Sequence, residues 1–220
     1  EAFQVSTDGN YYPKDMIALR KRGGVTDVLI LDLPVNTFWD IGNGDGCAIW
    51  FHQDLRGEDR FIDYFEDHDQ DLRHYAQAIK DRGYLYGTFF LPHDAEHKRL
   101  SDFNRSVLEM LCDLLPGFAF VAVPRITELQ TGVFQTRKHL KSAYFDRTRC
   151  SKGIARVEGY KKKFSRSEHR YIDQPHKSNG CSEGADALRQ WAQAKDLGML
   201  GSGALHRTTY EEAEAPDWRL

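Results

Sequence analysis

Three aspartates in separate segments of the chain could together bind a hard divalent cation. Asp40 ends the apolar run that opens TFWDIGNGDGCAIWFHQ, Asp94 follows the apolar run of YGTFFLPHDAE, and Asp186 lies in SEGADALRQW. An unpaired carboxylate at the end of a buried strand costs several kcal/mol, which a bound cation would offset. Carboxylate-rich sites favour Mg²⁺ or Mn²⁺. The three residues therefore predict a site for one of these metals.

Two further carboxylates are secondary candidates for the same site. Glu183 precedes Asp186 by one helical turn, so both side chains could face one ion. An acidic residue in the first turn also stabilises a helix N-terminus without any ligand. Asp45 lies in the GNGDG turn that follows Asp40. We therefore expect the three aspartates to bind the metal and treat Glu183 and Asp45 as additional ligands or supporting groups.

The glycines of GNGDG invite a comparison with phosphate-binding loops. The dinucleotide fingerprint needs a helix directly after its glycines, and the P-loop needs a following Lys and Ser or Thr. Here the strand-like CAIWFHQ follows, and the chain contains no GxxxxGK[ST] sequence. The glycines therefore predict a tight hairpin turn.

A second metal site is suggested by HDAEH, residues 93–97, which matches the H-x-x-E-H pattern of inverted zinc peptidases. That pattern must lie within a helix, whereas here Pro92 precedes it and a strand leads into it. A zinc-dependent peptidase remains the alternative that predicts a different metal.

A basic segment offers a surface for a polyanion. Residues 137–170 contain twelve Lys or Arg and three Asp or Glu, in a chain whose net charge is −3. This excess, with aromatic residues interleaved, favours contact with a phosphate backbone. The candidate DNA-binding residues are Lys161, Lys162, Lys163, Arg137, Lys138 and Arg166. A non-catalytic DNA clamp, in which the acidic residues are only structural, is a further alternative.

The order of the predicted elements is that of a mixed α/β domain. Apolar runs predict strands at 37–41, 47–53, 60–66, 87–94 (stopped by Pro92) and 118–125. Helical spacing predicts helices at 72–83, 106–115 and 182–194, and a short helix ending near Gly23. Residues 127–164 are predicted to be mostly helical, and residues 165–177 a hairpin or loop. This order predicts a mixed sheet with helices on its faces.

Composition excludes several classes of protein. With 40% apolar and 12% aromatic residues, the 220 residues can form one substantial globular domain. The four cysteines form no CxxC pair, so neither a disulfide scaffold nor a cysteine zinc site is indicated. No signal peptide or long apolar run is present, so no membrane partner is predicted. Because the chain begins at Glu1 without a methionine, we interpret it as a piece of a longer protein.

Four motifs in order, TFWDIGNGDGCAIWF, RFIDYFE, YGTFFLPHDAE and SEGADALR, resemble the nuclease domain of the large terminase subunit of tailed double-stranded DNA bacteriophages. The resemblance runs from about Asn36 to about Trp191. It implies an RNase H-like α/β fold, with a mixed sheet of three antiparallel strands followed by parallel strands and flanked by helices. The family's acidic residues fall on Asp40, Asp94 and Asp186.

The resemblance also implies an activity and partners. The activity is a metal-dependent endonuclease that cuts concatemeric double-stranded phage DNA during genome packaging, in the host cell cytoplasm, by a two-metal-ion mechanism with Mg²⁺ or Mn²⁺. The partners are an N-terminal ATPase motor of the same polypeptide, the portal protein and the small terminase subunit. Many relatives carry a histidine a few residues before the third aspartate, where this chain has Glu183.

The resemblance suggests three parts to the chain. Residues 1–36 would be a lead-in or linker from the ATPase motor, residues 37–197 the nuclease domain, and residues 198–220 a mobile tail. No Walker motif is present, so we expect no ATP hydrolysis by this chain.

Overall fold

The computed structural model describes residues 8–42, 46–98, 104–177 and 180–200. Its strands are β1 (Val25–Thr26), β2 (Val35–Ile41), β3 (Cys47–Leu55), β4 (Glu58–Asp67), β5 (Tyr86–Pro92), β6 (Ala119–Val123), β7 (Tyr144–Asp146), β8 (Lys162–Ser165) and β9 (Arg170–Pro175). Its α-helices are α1 (Pro13–Lys21), α2 (Leu72–Arg82), α3 (Val107–Leu114), α4 (Leu129–Leu140), α5 (Ser151–Gly159) and α6 (Ser182–Asp196). A 3-10 helix, His93–Glu96, follows β5.

Seven strands form one mixed sheet, in the order β1-β7-β4-β3-β2-β5-β6. The pairs β2–β3 and β3–β4 are antiparallel, whereas β5 runs parallel to β2 and β6 parallel to β5. The other end of the sheet is also parallel, because β7 pairs with β4 and β1 with β7 in that sense. The predicted fold class, three antiparallel strands followed by parallel strands and flanked by helices, is confirmed.

The two faces of the sheet carry separate cores, because successive side chains of a strand point to opposite faces. On one face Phe38 and Trp50 pack with α1, α4, α5 and α6. On the other face Trp39, Ile49 and Phe51 pack with α2 and α3. The acidic end of β2 therefore lies between two helical layers.

Local sequence explains the ends of the helices that cover the second face. Asp71 is the N-cap of α2 and accepts a hydrogen bond from the backbone N–H of His74, and Gly83 ends that helix in the left-handed conformation, with φ 59°. Ser106 and Glu109 form a reciprocal capping box at the start of α3.

The segment before residue 37 is part of the fold, not an appendage to it. Met16 and Leu19 of α1 are buried in the same core as Phe38, and β1 extends the sheet beside β7. The predicted boundary at residue 36 therefore does not coincide with an edge of the core. At the other end, Met199 and Leu200 pack against that core, and residues 201–220 of the predicted tail lie outside the described residues.

Three other expectations can be compared with the structure. The helices α4 and α5 occupy more than half of residues 127–164, as predicted, although β7 separates them and β8 begins at Lys162. The strand before Asp94 ends at Pro92, as predicted, and Asp94 lies in the 3-10 helix that follows it. The hairpin predicted for 165–177 is present as β8 and β9, but its first strand starts three residues earlier.

Within the described ranges, no helix combines the length and the apolar character that crossing a membrane would require.

Candidate active site

Asp40 lies near the end of the central strand β2, on the face that α6 covers. It is opposite Ala48 of β3 and two residues from Phe38, which shares a core with α6 residues such as Trp191. Its predicted hairpin connects β2 to β3 in antiparallel register. The turn itself, residues 43–45, lies outside the described residues, and Asp45 with it.

Asp94 reaches the same end of the sheet from the neighbouring strand. Because β5 is parallel to β2, with Phe90 opposite Phe38, the two strands end side by side. Pro92 ends β5 and the 3-10 helix follows at once, which places Asp94 one step beyond the strand. The carboxyl ends of parallel strands are where α/β sheets present functional groups.

The first turns of α6 carry Glu183 and Asp186 and approach the sheet closely. A Cβ on Gly184 would lie 2.6 Å from Tyr64 Oη and 2.8 Å from Arg156 Cβ, so a larger residue would push the helix outward. The backbone oxygen of Gly184 also accepts a hydrogen bond from Trp50 Nε1 at 2.8 Å. The small residues that the sequence places here let α6 reach β3 and β4.

The carboxylates act on one another electrostatically at this point. Burial raises the pKa of Asp40 well above its usual value, and the negative charges of Asp186, Glu183 and Asp94 raise it further, whereas Arg189 lowers it. Asp186, Glu183 and Asp94 are thus near enough to Asp40 for their charges to act on it. An anionic Asp40 is costly here without a cation.

The charge of Asp186 is also disfavoured by burial, and a neighbouring arginine partly offsets this cost. Burial raises its pKa, and the charges of Arg189 and Lys177 oppose that effect. Arg189 Nη2 lies 2.8 Å from Asp186 Oδ1, one helical turn along α6. Sequence reasoning did not identify Arg189, although its i+3 spacing from Asp186 was a usable signal.

The carboxylates offer oxygen ligands of the type that hard cations prefer. Among the described residues, Glu183 Oε2 and Asp186 Oδ1 are buried and have no hydrogen-bond partner. Oxygen donors and an excess of negative charge fit Mg²⁺ or Mn²⁺. In the described parts of the chain, however, no three His, Cys, Asp or Glu side chains stand in an arrangement that would hold a metal ion. The ligand type and the charge fit a metal, and the side chains do not form a closed coordination shell.

The HDAEH segment lacks the context that a zinc peptidase needs. His93 to Glu96 form a four-residue 3-10 helix, and His97 already has extended backbone. The rings of His93 and His97 are 6.0 Å apart and nearly perpendicular. An H-x-x-E-H site requires an α-helix that turns both histidines to one side.

A basic cleft adjoins the acidic group. The β8–β9 hairpin and the residues after it line a cleft of about 840 Å³, whose cations are Lys161, Lys162, Lys163, Arg166 and Lys177. Two partly exposed aromatic rings, Phe164 and Tyr171, pack edge to face on the same hairpin. Lys177 links the cleft to the carboxylates because its charge acts on Asp186. Sequence reasoning missed Lys177, which lies beyond the basic segment.

The predicted DNA-contact residues differ in whether their side chains already interact with other groups of the domain. Lys162 Nζ lies 3.0 Å from Asp173 Oδ1, whereas Lys163 and Arg166 are exposed. Arg137 donates hydrogen bonds to the backbone oxygen of Tyr11, and Lys138 Nζ lies 2.8 Å from Asp196 Oδ1. These two side chains therefore have partners within the domain.

The chain has the fold of the RNase H-like nuclease domains of large terminases. It superposes on the nuclease domain of the phage P22 large terminase over 87% of this chain and 95% of that one, with 12% identity and a TM-score of 0.59. For the phage SPP1 large-terminase (g2p) nuclease domain, solved with bound Mn, the shares are 79% and 95%, with 15% identity and a TM-score of 0.52.

A longer protein shows the same likeness. The large terminase of a thermophilic bacteriophage, solved in complex with ADP, matches 79% of this chain at 13% identity and a TM-score of 0.59. This chain spans 42% of the length of that protein. No protein-family model matches the sequence, and no curated protein is similar to it in sequence.

Proposed function

We propose that this domain is a metal-dependent endonuclease that hydrolyses phosphodiester bonds in double-stranded DNA with two Mg²⁺ or Mn²⁺ ions. One observation carries the proposal. Asp40, Asp94 and Asp186 come from three elements of a large-terminase nuclease fold, and the negative charges of Asp94 and Asp186 both act on Asp40. Asp45, outside the described residues, and Glu183 are proposed as further ligands or supporting groups.

Two neighbouring surfaces of this chain would have different roles, one in binding the metal ions and one in binding the DNA. Asp40, Asp94 and Asp186 would hold the cations, which would supply the Lewis acidity that phosphodiester hydrolysis needs. The basic cleft would hold the DNA backbone beside them through Lys161, Lys163 and Arg166, because its cations neutralise phosphates. Without cations the carboxylates would repel DNA, so productive binding requires both surfaces.

The biological setting follows the same likeness. We propose that the domain cuts concatemeric phage DNA during genome packaging in the host cell cytoplasm. An N-terminal ATPase motor of the same polypeptide, the portal protein and the small terminase subunit are the proposed partners. The longer large terminase, of which this chain spans less than half, was solved with ADP, which supports the motor as a partner.

Cleavage of supercoiled plasmid tests the activity. With Mn²⁺ or Mg²⁺ we expect nicked and linear DNA, and EDTA should abolish both. Asp40→Asn and Asp186→Asn should each reduce the rate at least about a hundredfold, because metal sites supply several kcal/mol of transition-state stabilisation. Asp27→Asn is the matched control, since Asp27 is 80% exposed and pairs with Arg147 at the surface. Unchanged cleavage by both site variants would overturn the proposal, and DNA binding without cutting would favour a clamp.

The salt dependence of DNA binding tests the basic cleft. In the double variant Lys163→Ala/Arg166→Ala, the slope of log K against log salt should become shallower by about two, because each phosphate contact contributes about 0.9. The control Arg73→Ala/Lys80→Ala removes two exposed cations from α2, on the opposite face of the sheet. Equal slopes for the two double variants would place the DNA elsewhere.

A further inference from the structure

Arg189 is a partly buried cation among the carboxylates of the candidate site. Its side chain is 21% exposed, and its Nη2 lies 2.8 Å from Asp186 Oδ1. Its guanidinium also lies 5.9 Å from the centre of the Tyr160 ring. The proposed chemistry uses the carboxylates and leaves this arginine without a role.

The contact between Arg189 and Asp186 is incomplete as an ion pair. Both Arg189 Nε and Asp186 Oδ1 are buried without a hydrogen-bond partner among the described residues. A bidentate Arg–carboxylate pair forms two parallel N–H···O bonds. Such a pair would give a hydrogen-bond partner to both Arg189 Nε and Asp186 Oδ1. The arginine therefore balances the charge of Asp186 without saturating its oxygen.

The influence of Arg189 extends beyond Asp186. An arginine side chain is not deprotonated in proteins, so Arg189 is a fixed positive charge beside Asp186. Its charge acts on Asp40 as well as on Asp186. One guanidinium thus supplies positive charge to the two aspartates expected to share a metal.

The surroundings give the arginine another position to occupy. It lines a small cleft of about 160 Å³ between α4, α6 and the residues after β6, together with the polar side chains of Arg125, Gln190 and Gln193. Gln190 Oε1 is buried and has no hydrogen-bond partner among the described residues. An arginine displaced from Asp186 would find an acceptor nearby.

We propose that Arg189 is a positioning residue that serves as the internal counter-cation of the acidic site and that a divalent metal ion displaces from Asp186. The proposal rests on the proposed metal-dependent function. Before metal binds, the guanidinium of Arg189 lies against Asp186 and offsets part of the negative charge of the carboxylates. When metal binds, the guanidinium and the ion compete for the same oxygen, so Arg189 weakens metal affinity.

Calorimetric titration of the metal-free chain with Mn²⁺ alone tests this competition without any measurement of activity. Arg189→Gln should bind Mn²⁺ about tenfold more tightly than the wild type, because a partly exposed ion pair and one repelling charge are both removed. Arg189→Lys keeps the positive charge but lacks the planar guanidinium, so its Mn²⁺ affinity should lie between those of the wild type and Arg189→Gln. Arg125→Gln is the control, since it removes an exposed cation from the same cleft.

Thermal unfolding provides a second measurement of Mn²⁺ binding, which remains valid even if the variant is less stable than the wild type. The rise in melting temperature caused by Mn²⁺ should be larger for Arg189→Gln than for the wild type, whatever their melting temperatures in EDTA. Equal or weaker Mn²⁺ binding by a folded Arg189→Gln, with wild-type binding that Asp40→Ala abolishes, would overturn this inference and leave the metal site standing. Absence of Mn²⁺ binding by the wild type would overturn both.

Discussion

Asp59 holds α6, the helix that carries Asp186, against the sheet. It is completely buried on β4, and its Oδ1 accepts a hydrogen bond from Trp191 Nε1 at 3.1 Å. Lys195 forms an ion pair with the other oxygen, and His52 Nε2 lies 3.0 Å from Oδ1. Two of these partners belong to α6, so Asp59→Ala should loosen that helix.

The cost of Asp59→Ala can be estimated from these contacts. Removing one member of a buried charge pair costs about 3–5 kcal/mol, because the remaining partners are left unpaired. Lys195 is 23% exposed and can regain some hydration, so we expect the lower part of this range, about 3 kcal/mol. For a domain of this size each kcal/mol lowers the melting temperature by about 2–4 °C. The expected decrease is roughly 6–12 °C.

The stability that Asp59 contributes should depend on pH, and the direction of this dependence follows from its pKa. Burial raises the pKa of Asp59, but His52 and Lys195 outweigh burial and hold the pKa below its usual value. Such a carboxylate contributes stability above its unfolded pKa of about 3.9 and loses it as the pH falls through the folded pKa. The stability difference between the wild type and Asp59→Asn should therefore be full at pH 7 and shrink below about pH 4.

Urea unfolding followed by tryptophan fluorescence, at pH 7 and at several lower values, measures both effects. Asp27→Ala serves as the control, because a pair this exposed contributes about 0–1 kcal/mol. A loss below about 1 kcal/mol for Asp59→Ala, or a difference that grows on acidification, would refute the reasoning.

Three more outcomes are expected at the site. In EDTA at pH 7, Asp40→Asn should raise the melting temperature by about 2–4 °C, since burial and neighbouring acids raise the pKa of Asp40 and make its charge costly; a decrease in differential scanning fluorimetry would contradict this. Gly184→Ala should cost about 1–3 kcal/mol in urea unfolding, because its Cβ would meet Tyr64 Oη at 2.6 Å, and an unchanged midpoint would show that α6 can shift freely. Glu183→Gln should weaken Mn²⁺ binding about tenfold in calorimetry if its buried oxygen is a ligand, whereas an unchanged dissociation constant would assign it a capping role.

The parts of the fold that follow from local pattern could be predicted from the sequence. The aromatic runs on either side of GNGDG give β2 and β3, and the i, i+3, i+4, i+7 spacing of Leu72, Tyr75, Ala76 and Ile79 gives α2. Strands β1 and β7, of two and three residues, carry no such pattern. Their pairing depends on contacts between distant parts of the chain, which periodicity does not reveal.

The same distinction applies to the charged residues. Asp40 and Asp94 were identifiable because Asp40 ends one apolar run and Asp94 follows another, and their convergence required only that the two strands be parallel neighbours. Arg137 and Lys138 look like DNA contacts in the sequence, but their partners Tyr11 and Asp196 lie far away along the chain. Whether they contact DNA stays a prediction, as do all the assigned roles of the site residues.

The docking of α6 onto β2 joins nearly the first and nearly the last described parts of the chain. Asp40 and Asp94 are synthesised well before Asp186, and Trp191 of the same late helix fills the core between them and α4. A chain still emerging from the ribosome therefore has two of the three aspartates and an open hydrophobic core before α6 is made. Under the proposed function, chains that end before α6 should therefore not cut DNA.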